Sequence, residues 1–175
     1  MQTGRFQQPA AGRIPLTAMM SVRDATHSDL PTVNRIIAES VVSWGLPERV
    51  RRLATPSLNY SETDLQHMTV VLLTHAAHGG IGVAAWEEAS RLDAPAGVRA
   101  FLLHGLYIVP DYQQRGLGTK LIELAANWVR DRGYDGIAVR AWRDSSDFFA
   151  ARGFVPIDRD APADLYPRRL WKALR

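Results

Sequence analysis

The 175-residue chain is 46% hydrophobic and 22% charged, the balance of a soluble globular protein, and it contains no cysteine. Disulfides, thiolate zinc sites and cysteine nucleophiles are therefore excluded, and no run approaches the ~18 apolar residues that a membrane span needs. The pI near 9.6 rests on a formal charge of only +3, of which Arg5 and Arg13 supply two units, and a nucleic-acid surface, which requires clustered Lys and Arg, is not expected.

Residues 1–20, "MQTGRFQQPAAGRIPLTAMM", lack any helical or strand period and read as a disordered leader or extension. No secretory signal core stands there, so the cytoplasm is the expected location. A single domain is expected over residues 21–175. It opens with a short strand near Ser21, then a helix capped by Ser28 or Asp29, with Pro31 in its first turn and Val33, Ile36, Ile37 and Val41 on one face. Trp44, Gly45 and Pro47 break that helix. "PERVRRL" and "SETDLQHM" predict two short helices, the second capped by Ser61.

"TVVLLTHA" and "GIGVAAWEEA" predict an antiparallel hairpin joined by "AHGG". After a loop, "VRAFLLHGLYIV" gives a long strand with Gly105 inside it, the mark of a bulge or a close approach. Pro110 ends this strand. The next helix carries Leu117, Leu121, Leu124, Ala125, Trp128 and Val129 on one face and closes at Gly133. "YDGIAVRAW" is then a buried strand, parallel to the one before the helix because a βαβ crossover joins them. "SSDFFAARGF" predicts a short helix ending at Gly153, and a last strand is expected around Leu170 to Ala173. The expected fold is an α/β, α+β mixed sheet, mostly antiparallel, with one parallel crossover and helices on both faces.

The segment "VPDYQQRGLGTKL" joins the long strand to the long helix. A helix N-terminus presents backbone N–H groups without internal partners and a partial positive charge, so small residues leading into it make an anion cradle. Gly116 and Gly118 allow a close approach, while Gln114 and Arg115 can add side-chain donors. A phosphate or diphosphate is the expected anion. A Rossmann fingerprint would need a third glycine where Leu121 stands, and a P-loop would need Lys directly after its second glycine, where Thr119 intervenes.

The stretch "LYIVPDYQQRGLGTKLIELAANWVRDRGYDGIAVRA" closely resembles the coenzyme A-binding core of the GNAT superfamily of N-acetyltransferases, with its Gln/Arg-x-x-Gly-x-Gly/Ala signature. Gln113, Gly116 and Gly118 match that signature, "FFAARGF" resembles a second block near the end of the fold, and "VRDATHSDLPTVNRII" resembles its opening strand and helix. The resemblance implies a GNAT-like sheet with splayed central strands. It also implies acetyl-CoA as cosubstrate, its diphosphate over Gln114, Arg115, Gly116, Leu117, Gly118 and Thr119, and its pantetheine arm against Tyr107 and Ile108. A bulge near Gly105 and Leu106 would open a wedge for that arm.

Acetyl transfer to an amine requires the amine neutral, a donor to the thioester carbonyl oxygen, and an acid for the departing thiolate; no metal is required. The family commonly places a tyrosine acid where this chain has Phe149, which cannot donate a proton. His104, on the central strand, is the first candidate to replace it, with an ordinary structural histidine as the alternative. Tyr107 is the second, as acid or as carbonyl donor, against a simple pocket-lining role, and relayed water is a third option. Glu87, beside Glu88, is a candidate for holding the amine, and Trp44 for covering it. Phe148 and Phe149 are expected to wall the acetyl end. The reading is an acetyl-CoA-dependent N-acetyltransferase acting on a primary amine of a small molecule or peptide by direct attack in a ternary complex. The alternative is an acyl-CoA-binding sensor or interaction domain without efficient turnover. A homodimer is left open.

Overall fold

The computed structural model describes residues 19–141, 145–157 and 168–174. Among the described residues, seven strands form one sheet in the order β1-β2-β3-β4-β5-β7-β6. The strands are β1 (Met20–Asp24), β2 (Thr69–His75), β3 (Gly79–Glu88), β4 (Ala100–Ile108), β5 (Gly136–Ala141), β6 (Val155–Pro156) and β7 (Arg168–Ala173). The helices are α1 (Leu30–Val42), α2 (Glu48–Leu58), α3 (Glu62–His67), α4 (Leu117–Arg130) and α5 (Ser146–Ala150). Strand β5 runs parallel to β4, as the crossover requires, and antiparallel to β7. The expected leader lies, apart from its last two residues, outside the described residues, as does Trp142 at the end of the predicted strand. The chain divides into two compact units, one holding the described residues up to Ala85 with Gly105–Lys120, the other holding Trp86–His104 and those from Leu121 onward.

In the first unit, β1 pairs with β2 from Met20 opposite His75 to Asp24 opposite Val71. Asp29 stands as the N-cap of α1, one of the two residues expected there. A 3-10 turn, His27–Asp29, precedes α1, and the Asp29 carboxylate reaches back to the Thr26 N–H at 2.8 Å. The Arg23 guanidinium donates to both oxygens of the same carboxylate, at 2.6 and 2.7 Å, so Asp29 is engaged as an acceptor. Arg23 thereby holds the Asp29 carboxyl far below the usual range against the opposing effect of burial. Helix α1 buries Val33, Ile36, Ile37 and Val41, the face its spacing predicted. Ser61 caps α3 as expected, in a reciprocal pair with Asp64. The hairpin turn is shorter than "AHGG". Gly79, at φ +69°, already opens β3, and a Cβ on Gly80 would collide with Thr32 and Ile36 of α1.

Strand β4 is irregular. Ala89 N–H bonds to the Ala100 carbonyl and Val109 N–H to the Ile81 carbonyl, so β4 takes nine steps from Ala100 to Val109 where β3 takes eight from Ile81 to Ala89. One surplus residue in one strand of a pair defines a β-bulge, the feature expected near Gly105.

In the second unit, Trp86, Phe101, Trp128 and Tyr134 pack edge to face, with centroids 4.5–5.7 Å apart. Gly133, at φ +72°, ends α4 by donating to the Arg130 carbonyl. The loop after β3 carries Asp93, whose side chain is 1% exposed. Arg140 of β5 donates to both carboxylate oxygens, at 2.7 and 2.8 Å, Ser90 donates at 2.5 Å, and Arg169 of β7 lies 3.4 Å away. Burial pushes the Asp93 carboxyl up, and these donors outweigh it, leaving it below its usual range.

Removing one member of a buried ion pair strands the others. Asp93→Ala is expected to lower the unfolding free energy by about 3 kcal/mol in a urea titration. Asp29 and Asp93 are both depressed in the folded chain, so their contribution is complete above the unfolded aspartate value. Urea midpoints measured downward from pH 5 should fall as the pH approaches the folded values, and less steeply in a D29N/D93N variant.

Candidate active site

Strand β4 delivers the chain to Val109, and the next residues must reverse direction into α4. A 3-10 turn over Pro110–Tyr112 does this, with the Tyr112 N–H on the Val109 carbonyl at 2.9 Å and the Gln113 N–H on the Pro110 carbonyl at 3.1 Å. Gln114 then takes φ +58°, a region that L side chains seldom occupy, and Gly116 takes φ +78°. The first helical bond runs from the Lys120 N–H to the Gly116 carbonyl at 3.1 Å. The amides of Leu117 and Gly118 precede it, so helix geometry gives them no acceptor inside α4. A Cβ placed on Gly116 meets nothing within 4 Å among the described residues, and Gln114, Arg115 and Gly116 are exposed. The cradle expected from the glycines is therefore open on its outer side. Leu117 is buried and anchors the helix start from below.

The Gln113 side chain is turned away from the cradle. Its Nε2 donates to the Ile108 carbonyl at 2.8 Å and to Ser43 Oγ at 2.9 Å, tying the end of β4 to the end of α1. Its amide being used as well, Gln113 shapes the turn. The Arg115 guanidinium sits over the Tyr112 ring, 5.1 Å from its centroid.

Other predicted residues gather one strand turn earlier. Trp44, just past α1, stacks on the buried Tyr107 ring with centroids 6.2 Å apart and planes 14° from parallel. Gly105 faces two groups: a Cβ there would strike the Tyr60 hydroxyl and would lie 2.6 Å from Tyr107 Cε2. Glycine is required at this point because another side chain approaches the main chain.

Tyr60 had no place in the sequence reading. It is 4% exposed, and the Asn34 carboxamide of α1 grips its main chain from both sides, accepting from the Tyr60 N–H at 2.8 Å and donating to the Tyr60 carbonyl at 2.9 Å. The glycine inside the strand signalled that something approaches β4, and nothing in the pattern said what. His104, Glu87 and Phe149 belong to the second unit. There His104 is exposed and Glu87 half-buried. Phe149 is buried edge to face between Phe148 and Phe154, at 5.2 and 5.3 Å.

The sequence model of the acetyltransferase (GNAT) family matches residues 46–154, more than half of the chain and all of the strand, turn and helix just described. The chain belongs to the GNAT family. Solved acetyltransferase structures also share the fold. A PaiA N-acetyltransferase from Thermoplasma acidophilum, solved in complex with coenzyme A, is 16% identical with a TM-score of 0.70, over 88% of this chain and 98% of that one. A GCN5-related N-acetyltransferase from Rhodopseudomonas palustris is 19% identical with a TM-score of 0.67, over 90% and 98%. An N-acetylglutamate synthase from Neisseria gonorrhoeae, complexed with coenzyme A and N-acetylglutamate, is 19% identical with a TM-score of 0.65, over 91% of this chain and 36% of that one. At such identities the shared property is the fold. A search of curated protein sequences gave no match. No helix among the described residues is long and apolar enough to cross a membrane.

Gln113→Ala removes both side-chain bonds of the GNAT turn. It should lower the unfolding free energy by about 1 kcal/mol in urea, with Gln113→Asn, too short to reach both acceptors, recovering little of it.

Proposed function

We propose that this GNAT chain is an acetyl-CoA-dependent N-acetyltransferase that acetylates a primary amine of a small molecule or peptide in the cytoplasm. The observation that carries the reading is the run from Gln114 to Gly118: two left-handed residues, an open outer side and the first amides of a 14-residue helix, in the segment that matches the family signature. Such a cradle suits a diphosphate. The amides around Gln114, Arg115, Gly116, Leu117, Gly118 and Thr119 would hold it, the Gln114 and Arg115 side chains can add donors, and Gln113 keeps the turn in shape. Tyr107 and Ile108 would pair through their main chains with the pantetheine arm, and the bulge in β4 supports this by interrupting the regular ladder.

Acetyl-CoA supplies an acyl group already activated as a thioester. The protein's part is to hold the donor in line, exclude water and manage two protons, one leaving the amine and one reaching the sulphur. His104 and Tyr107 are the side chains of β4 suited to that work, and Phe149 would line the acetyl end. Trp44 and Glu87 would contact the acceptor, by an aromatic face and by a negative charge. The buried Phe149, set among other phenylalanines and unable to ionise, favours one other reading, an acyl-CoA-binding sensor without efficient turnover.

Two measurements test the proposal. Calorimetry should detect coenzyme A and acetyl-CoA binding to the wild type, and Gly116→Val should abolish it, because a branched residue is strained at φ +78° and fills the open side of the cradle. Retained micromolar binding in that variant would remove the site. Thiol release from acetyl-CoA with a panel of diamines, amino acids and short peptides should exceed background; binding without release would leave the sensor.

A further inference from the structure

The position where the family commonly carries a tyrosine holds Phe149, yet a tyrosine hydroxyl does reach β4 from another element. Tyr60 lies in the short link between α2 and α3, and three features fix it. Asn34 pins both polar groups of its main chain. Ser61, the next residue, is committed as the α3 cap, its N–H donating to Asp64 Oδ2 at 2.7 Å. The ring is buried, and its hydroxyl stands where a side chain at position 105 would begin. A long side chain with both ends specified has little rotamer freedom left to lose, which is the condition for a group that must act in one place.

The place matters because β4 carries the cradle at its C-terminal end. A donor held there by its diphosphate, with its arm running back along β4, passes Ile108 and Tyr107 and reaches Gly105 after three residues, about 10 Å of extended strand. Gly105 carries no side chain at that level, and the Tyr60 hydroxyl and the Tyr107 ring edge occupy the place one would take. His104, the residue before Gly105, is exposed. Tyr107 has its ring face stacked on Trp44. The aromatic pair builds a wall, and beside Gly105 it is Tyr60 that approaches by its hydroxyl, Tyr107 by ring carbons.

We infer that Tyr60 donates the proton taken up by the departing thiolate, entering from the α2–α3 link in place of the hydroxyl that Phe149 lacks. The inference rests on the acetyltransferase reading above. In the step it assigns, the amine nitrogen lone pair attacks the acetyl carbonyl carbon and the C–N bond forms. The C–S bond breaks with its electron pair remaining on sulphur, and the phenolic proton passes to sulphur to give the free thiol. The proton shed by the amine nitrogen as it becomes an amide returns to the phenolate through solvent. Asn34 is the positioning residue, acting only through the main chain of Tyr60.

Tyr60→Phe keeps the ring and removes the oxygen. With acetyl-CoA and the most active amine of the panel, this variant should lose about 100-fold in kcat, the range of a positioned general acid, while calorimetry gives an unchanged acetyl-CoA affinity. The selenium analogue of acetyl-CoA separates chemistry from structure, because a more acidic leaving group departs without needing a proton. With that donor, Tyr60→Phe should run within about threefold of the wild type. A thioester rate that stays within threefold of wild type overturns the assignment, and so does an equal loss with both donors, which would mean structural damage. If the wild type binds acetyl-CoA but turns over neither donor, the acetyltransferase reading itself fails, an outcome distinct from an active wild type whose Tyr60→Phe variant is equally active.

Discussion

Between Ile108 and Lys120 the main chain has to leave a sheet, reverse and enter a helix whose first amides, those of Leu117 and Gly118, have no acceptor inside it. Any such segment tends to satisfy its own polar groups, since a buried amide left unmatched is costly. Here the inner groups are matched locally. The 3-10 turn uses the amides of Tyr112 and Gln113, and the Gln113 carboxamide takes the Ile108 carbonyl. With those demands met, Gln114 and Gly116 adopt left-handed backbone that directs what remains outward. Tyr112 and Gln113, whose polar groups are spent inside the turn, are thus distinct from the residues that would touch an anion.

The same division between holding and touching recurs in each unit. In the first, Arg23 and Asp29 fix the junction of β1 with α1, and Asn34 fixes Tyr60. In the second, Asp93 draws Arg140 and Arg169, from neighbouring antiparallel strands, onto one loop. A buried carboxylate between two guanidinium groups contributes modestly to net stability, because desolvation offsets most of the attraction. Its larger effect is on geometry. The loop after β3 is held at Asp93 by directional bonds, while its neighbours Arg91 and Leu92 are exposed.

Local chemistry made much of this legible from sequence. Gly133 after a helical period, Ser61 three residues before Asp64, and the apolar face of α1 each specify their structure through neighbours within one or two turns. The glycine turn was readable for the same reason, and Gly105 correctly announced an irregular strand. What escaped were pairings between residues distant in the chain. Asp93 meets Arg140 and Arg169 across 47 and 76 positions, and Asn34 meets Tyr60 across 26. No periodicity encodes such partners. Asp29 caps α1 as its sequence position allowed, but the 3-10 turn before it, capped by Thr26, and the Arg23 guanidinium that engages the Asp29 carboxylate lay outside that pattern. Gln113 matched the signature by identity, yet its inward direction depends on Ser43, which lies 70 residues earlier.

The clamp that Asn34 places on Tyr60 also affects how this chain can change over evolutionary time. The chain between Asn34 and Tyr60 is strung between two points that one carboxamide holds together, and α2 within it buries no residue completely. Lengthening a surface connection whose ends are already joined costs little entropy. Residues 45–59 can therefore gain, lose or exchange side chains while the Tyr60 ring beyond them keeps its station.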